Sequence, residues 1–260
     1  MEKNDETEKK TEENIEHYGY DVFPERAPPG SYHANELGKV SNLVKKMKDT
    51  KKKMFDFYNY KSYYQFMTKV NYCLETNIPL KILTAAIKST GCISDIRNNI
   101  KFEKCIPNIH GGYDTHRNEI IVCNSVWSKS DICKILNHEM IHMFDKCRSN
   151  FDYTNNYHVA CTEIRAAVQT HCSYLAAYKL GIATATNYKK KHRECVRAKA
   201  VTSLLAVRKI RQDEAEKVVD SVFNRCYNDL EPYGRIIKKF PREDMRLLID
   251  ADSLGYFNDK

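Results

Sequence analysis

The chain has 260 residues, 42% of them hydrophobic and 29% charged, with 42 Lys and Arg against 34 Asp and Glu for a formal charge of +8. This length and composition suit a globular protein with a real core, and exclude a fibrous or low-complexity chain. No run approaches the ~18 apolar residues of a membrane-spanning helix, so contact with a membrane would be lateral, and the positive charge points to an acidic surface or partner without naming it.

Residues 1–17 are almost wholly polar and are expected to be disordered. Pro24, Pro28, Pro29 and Gly30 mark a linker to about residue 35, and Lys45–Lys53 carries six lysines as a solvated helix face or linker. Two helices are expected between Tyr58 and Thr90, broken at Pro79 and closed by Gly91. Gly111-Gly112 reads as a turn, followed by a β-branched strand over Asn118–Asn124. Ser128 with Asp131 resembles a capping box opening a helix over 131–148. Further helices are expected over Asn156–Lys179, stopping at Gly181, and over Tyr188–Arg211. A last one is capped by Asp213 and runs through Asn228, with Pro232 and Gly234 ending it. The expected fold class is α+β, mainly helical, with a small sheet beside the 131–148 helix.

Ten cysteines occur, none in a Cys-x-x-Cys pair, which argues against a zinc ribbon. The first residues lack the apolar segment of a secretory signal, and their acidity is unlike a cleavable mitochondrial presequence. Two readings follow: reduced, buried thiols, or disulfides formed in an oxidising compartment reached without a signal peptide.

The chemistry concentrates in His138-Glu139-Met140-Ile141-His142. Histidines four apart on a helix share a face, so both imidazoles can reach one Zn2+ at ~2.0–2.1 Å. Glu139, about 100° round the helix, is then placed as the general base for a water whose pKa the metal lowers toward roughly 7. Ile135, Leu136, Met140, Ile141, Met143 and Phe144 mark the helix as buried, and a strand shortly before it suits the holding of a substrate backbone. On a helical wheel with Cys133 at zero, His138 and His142 fall near ~140° and ~180° and Cys147 near ~320°. The two thiols therefore face away from the metal.

A catalytic zinc needs a third protein ligand. Asp145 shares the histidine face but lies ~10 Å along the axis from His138, so it is expected to orient a histidine or form a salt bridge. Glu163, on the next helix within Cys161-Thr162-Glu163-Ile164-Arg165-Ala166-Ala167, is the stronger candidate. Ala160, Ala166 and Ala167 beside it would permit close helix packing. The alternatives are a Glu163–Arg165 pair with no metal role, and His158 as ligand or as a residue supporting one.

These residues form an ordered series. It runs Gly111-Gly112-Tyr113-Asp114, Ile121-Val122-Cys123-Asn124, His138 through Arg148, and Ala160 through Ala167. It continues with His192-Arg193-Glu194-Cys195-Val196-Arg197, Phe223 through Asp229, and Glu231-Pro232-Tyr233-Gly234-Arg235. The series resembles the mitochondrial inner-membrane metallopeptidase family that assists ATP-synthase assembly, also catalogued under a Ku-binding name. The resemblance covers roughly residues 60–240, with one cysteine at Phe102-Glu103-Lys104-Cys105 where the family has two. It implies a zincin-like endopeptidase with one Zn2+, located in the intermembrane space and peripheral to the inner membrane. Its implied partners are inner-membrane-associated protein substrates and ATP-synthase membrane-sector subunits or assembly factors. It also implies entry without a presequence and trapping by oxidative folding. The organisation that follows is an acidic tail and linker over 1–35, a basic linker or helix over 36–57, a peptidase domain over 58–240 and a C-terminal tail over 241–260.

Lys189, Lys190, Lys191 and Arg193 open a helix with nine basic residues between 189 and 211 and one acid, Glu194. Beside a solvated face, attraction to anionic headgroups at ~1 kcal/mol per basic residue is the expected use. No zinc finger or RNA-binding signature accompanies the charge, so no nucleic acid is expected. The competing functions are a nuclear zinc protease acting on DNA-bound proteins, which would keep its thiols reduced, and a non-catalytic assembly chaperone.

Overall fold

The computed structural model describes residues 49–238 and 243–257. The tail and linker over 1–35 and most of the basic segment lie outside the described residues. Helix α1 spans Asp49–Thr76 and α2 spans Ile78–Ser89. Asn77 caps α2 by accepting the Leu80 N–H, and Pro79 sits in the first turn, where no intrahelical donor is lost. A 3₁₀ turn over Ile96–Asn99 leads into β1 (Ile100–Glu103), followed by β2 (Gly111–Asp114) and β3 (Glu119–Cys123). Strand β3 is central, parallel to β1 and antiparallel to β2, so β2 is an edge strand. Ile120, Ile121, Val122 and Cys123 are all fully buried, as a central strand covered on both faces requires.

The Gly111-Gly112 turn expected from sequence is instead the start of β2. A Cβ at Gly111 would lie 2.6 Å from Ile135 Cγ2 and 2.7 Å from the Ile121 carbonyl oxygen. The glycine is there for the close approach of strand to helix, not for a chain reversal.

Helix α3 (Lys129–Arg148) packs on this sheet and carries the His-Glu-x-x-His run. Its N-cap is Ser128, whose side chain accepts the Asp131 N–H at 3.4 Å, as the capping-box spacing predicts. The single helix expected over 156–179 is divided into α4 (Asn156–Ala166), a π turn (Ala167–His171) and α5 (Tyr174–Lys179). Cys172 leaves helical geometry at φ −96°, ψ 64° and is tied to Cys195, so a tertiary crosslink ends the helix where local preference would continue it. Helix α6 is Tyr188–Val207 and α7 is Gln212–Tyr227. Asp213 lies in the first turn of α7, while Arg211 is the N-cap residue and makes no side-chain cap. Residues expected as a C-terminal tail form α8 (Glu243–Ser253), which packs on α2 and buries Leu247 and Ala251, one helical turn apart.

Two apolar clusters result. One joins α1, α2, the sheet, α3 and α8 through residues such as Phe66, Leu83, Ile120, Met140 and Phe144. The other joins α4, α6 and α7 through Ile164, Val196, Leu204, Val219 and Phe223. Helix α3 packs against α4, so the histidines lie between the two clusters.

All ten cysteines pair: Cys73–Cys133, Cys92–Cys147, Cys105–Cys123, Cys161–Cys226 and Cys172–Cys195. The two cysteines of α3 face away from the histidines, as their helical angle predicts, and pin both ends of the helix to neighbouring chain. Each crosslink contributes roughly 2–4 kcal/mol, mainly by restricting the unfolded ensemble. Acid-quenched protein treated with an alkylating agent should therefore gain no mass without reductant, and ten adducts after reduction. Extensive labelling before reduction would refute the disulfide framework.

Candidate metal and active site

On α3 the Nε2 atoms of His138 and His142 point at each other, 3.1 Å apart, with the rings at 87°. Ala166 is buried in the cluster that α3 shares and lets α4 come close to this face, whereas Ala160 and Ala167, named from sequence for the same role, are buried in the α4–α6–α7 cluster. Glu163 then reaches both histidines: Oε2 lies 3.7 Å from His138 Nε2, and Oε1 lies 3.6 Å from His142 Nε2. Glu163 is 7% exposed, and its Oε2 is buried without a hydrogen-bond partner. The Glu163–Arg165 pairing weighed from sequence does not form. The Arg165 guanidinium instead binds Asp145 from Nε, with further bonds to the carbonyl oxygens of Asp229 at 2.8 Å and Glu231 at 2.6 Å.

The outer nitrogens of the two histidines fix their tautomers. Thr162 Oγ1 donates its one proton to Asp145 Oδ2 at 2.7 Å, so it can only accept from His142 Nδ1–H at 2.8 Å. Thr170 Oγ1 likewise donates to the Ala166 carbonyl at 2.7 Å, leaving it an acceptor for His138 Nδ1–H at 3.4 Å. His171 Nε2 lies 3.1 Å from the same His138 nitrogen. With Nδ1 protonated on both rings, two Nε2 lone pairs face each other beside a carboxylate oxygen that has no donor. Such a cluster repels itself unless a cation sits in it.

The spacing agrees with that reading. An ion bound tetrahedrally at ~2.0–2.1 Å holds its ligand atoms roughly 3.3 Å apart, against 3.1, 3.6 and 3.7 Å here. The residues present therefore fit a divalent metal. His138, Glu139 and His142 also place ligand atoms within 4.8 Å of one another. Burial holds the His138 imidazole well below its usual range, helped by His142 and His171 nearby, which favours the neutral, metal-binding form. Burial also raises Glu139 well above the usual carboxylate range, with the Glu163 charge adding to it. A cation at the cluster opposes that rise and favours the ionised base.

Asp145 is not drawn to the cluster. It stands behind Thr162, braced by Arg165 Nε at 2.9 Å and Arg148 Nε at 3.1 Å. It thus both forms salt bridges and, through Thr162, orients His142. Arg148 extends the brace to Glu231 at 2.9 Å and Asp229 at 2.5 Å. His158 is turned elsewhere, its Nδ1 accepting the Asp152 N–H at 3.0 Å. Five residues before Glu163, it lies about 140° away round α4. Lys189 and Lys190 are exposed at the start of α6, and Lys191 is bonded to Glu194 at 2.8 Å. Arg193 stacks on Phe223 and Tyr227 and binds Asn224, joining α6 to α7.

Thr162 and His171 were not legible in the sequence. Thr162 has no spacing relation to His142, and only the α3–α4 crossing reveals its role. His171 is eight residues beyond Glu163, ~12 Å along a regular helix, and the π turn places it against His138. Such turns often mark functional sites. Beside His171 lies a cleft of about 450 Å³, lined also by Lys134, Thr170, Ser173, Leu175, Ala176 and Lys179.

Thr162→Val, which keeps the shape and removes the relay, should weaken affinity for a divalent metal about 10–100-fold, the range for a group supporting a ligand. Competition with a chromogenic chelator measures this. Unchanged affinity would remove Thr162 from the site.

A helix-borne His-Glu-x-x-His run, faced by a carboxylate on the next helix and lying beside a small sheet, matches what a metallopeptidase site needs. The chain belongs to the Peptidase M76 family, whose sequence profile matches residues 65–234. It is 38% identical over 235 residues to the mitochondrial inner membrane protease ATP23 homolog of Xenopus laevis, covering 88% of this chain and 89% of that protein. It is 34% identical over 230 residues to the protein of the same name from Danio rerio, covering 86% and 80%. A Homo sapiens protein so named is 40% identical over 167 residues, covering 63% and 66%. No solved structure matches the chain.

Proposed function

We propose that this peptidase is a zinc-dependent endopeptidase with a zincin-like site, in which His138, His142 and Glu163 hold the ion and Glu139 is the general base. The observation that carries this is the meeting of two imidazole Nε2 atoms 3.1 Å apart with the buried Glu163 carboxylate, whose unpartnered Oε2 lies 3.7 Å from His138 and whose Oε1 lies 3.6 Å from His142. Two imidazoles and one carboxylate form a donor set suited to zinc. When bound, the ion supplies Lewis-acid activation of water and of the scissile carbonyl. Glu139 takes the proton from the attacking water and delivers it to the leaving amine. Thr162 and Asp145 keep His142 in its ligand tautomer, with Thr170 doing the same for His138. Among the described residues β2 has β3 as its one strand neighbour, and its outer edge is the proposed place for an extended substrate to add as a further strand through main-chain hydrogen bonds.

The relatives' names support work at the mitochondrial inner membrane. The intermembrane space is the fitting side, because five disulfides suit an oxidising compartment over a reducing nucleus. No helix of the described residues is long and apolar enough to cross a membrane. Peripheral contact through Lys189, Lys190, Lys191 and Arg193 is our reading of the basic helix. The proposed substrates are inner-membrane-associated proteins, with ATP-synthase membrane-sector assembly as the proposed setting. In mitochondria carrying Glu139→Gln in place of the wild type, uncut precursors of inner-membrane proteins should accumulate in terminal-peptide proteomics. An unchanged set of protein termini would contradict the proposal.

A further inference from the structure

The turn after α5 holds the most exposed large apolar side chain among the described residues. Leu180 is 73% exposed, with Tyr178 and Ile182 each at 57%. Single exposed apolar residues are ordinary, but three on one tight turn are not.

The turn is built to hold them outward. Ile182 N–H bonds the Ala177 carbonyl at 2.9 Å, and Gly181 N–H bonds the Tyr178 carbonyl at 3.0 Å. Gly181 adopts φ +68°. That pair of bonds is a Schellman motif, in which the residue after the glycine ordinarily packs back on the helix. Here Ile182 remains exposed, while the next residue, Ala183, is buried and anchors the turn from behind. Tyr178 stacks on Tyr174, which packs edge-on against Tyr188 at the start of α6. Cys172–Cys195 fastens the other end of the segment to α6. The apolar tip is therefore preformed.

The stretch of chain around it is basic, and its first acid, Glu194, is taken up by Lys191. Residues 174–193 include five Lys or Arg and no Asp or Glu. Lys179 is exposed at the end of α5, and Lys189 and Lys190 are exposed on the first turn of α6. A convex apolar tip beside basic side chains matches an anionic bilayer, whose acyl boundary takes the tip and whose headgroups take the lysines. A tyrosine at such a boundary keeps its ring in the apolar layer and its hydroxyl in water.

We propose that Tyr178, Leu180 and Ile182 form a wedge that enters the interface of an anionic membrane, with Lys179, Lys189 and Lys190 on the headgroups around it. This rests on reading the chain as a protease at a membrane surface, and it adds which surface docks. Leu175, Ala176 and Lys179 also line the cleft beside His171. Docking by this turn consequently brings the cleft to the bilayer, where a segment leaving the membrane could enter it.

The test uses the full-length, disulfide-bonded protein and flotation with phosphatidylcholine vesicles, with and without phosphatidylglycerol. Wild type should float with the anionic vesicles. Leu180→Asp/Ile182→Asp should lower the partition coefficient about a hundredfold or more, because two apolar side chains leave the bilayer. Lys189→Gln/Lys190→Gln should lower it roughly 30-fold, and only at low salt. Both variants should cleave a water-soluble peptide as wild type does. In a separate variant, Leu180→Trp, brominated acyl chains should quench the added fluorescence.

Equal flotation of the aspartate variant, or no quenching at Leu180→Trp, overturns the proposal. So does a wild type that ignores anionic vesicles. Lost peptide cleavage with retained flotation would make the turn a wall of the substrate site. A dimer made monomeric by the aspartates, with flotation unchanged, would make it a self-association surface. If no form cleaves peptide but flotation behaves as stated, the peptidase reading fails and the wedge stands.

Discussion

Glu139→Gln leaves the metal in place and lowers peptide cleavage by roughly 10²–10⁴-fold, the usual contribution of a positioned general base. The amide fills the volume of the carboxylate and adds no charge to a site where Glu139 is already buried. It cannot accept the proton of the attacking water. In the proposed site His138, His142 and Glu163 supply the ligand atoms, so zinc stoichiometry and affinity should stay close to wild type. Parallel metal analysis and peptide kinetics on the purified variant provide the check. Undiminished turnover with full zinc would assign the base elsewhere, and lost zinc would make Glu139 a ligand.

The second expected result separates the two carboxylates that share the neighbourhood. Glu163→Gln should weaken zinc binding by more than the ~10–100-fold typical of supporting residues, because it neutralises a ligand. The metal-free protein should lose little stability, since Glu163 Oε2 has no hydrogen-bond partner to forfeit. Asp145→Asn should show the opposite balance. It removes one counter-charge from Arg165, whose side chain is 2% exposed and which keeps Asp229, and one from Arg148, which keeps Asp229 and Glu231. Leaving a buried charge with no partner costs about 3–5 kcal/mol, and the remaining carboxylates of Asp229 and Glu231 keep the loss below that range. Zinc affinity would fall only through the loosened Thr162–His142 contact. Chelator competition and urea unfolding of the metal-free variants read the two effects separately. If Asp145→Asn costs more metal affinity than Glu163→Gln, the third ligand is misassigned.

How much of this site was legible depended on how local its cause was. His138, Glu139 and His142 lie within one helical turn and a bit, so spacing alone brings them to one face. Glu163 could be named because it sits among small residues on the following helix, but its approach to both imidazoles depends on how α4 crosses α3. The same crossing turned Arg165 away toward Asp145, which no reading of the Cys161–Ala167 segment could show.

The misreadings also have physical sources. Gly111-Gly112 resembles a turn because glycine usually signals conformational freedom, whereas here it signals the missing Cβ that lets β2 touch Ile135. The break after His171 is imposed by Cys172–Cys195, and sequence does not disclose which cysteines pair. Helix α8 is short and charged, and only its fit against α2 shows that Leu247 and Ala251 belong to the core.

The most direct test of the central claim is zinc content and peptide cleavage measured on the same full-length protein, before chelation, after chelation and after zinc is returned. The account predicts one zinc per chain, cleavage lost with the metal and recovered with it, and neither zinc nor cleavage in His138→Ala/His142→Ala. Cleavage that persists in protein stripped of metal, or full zinc occupancy in that double variant, would contradict it.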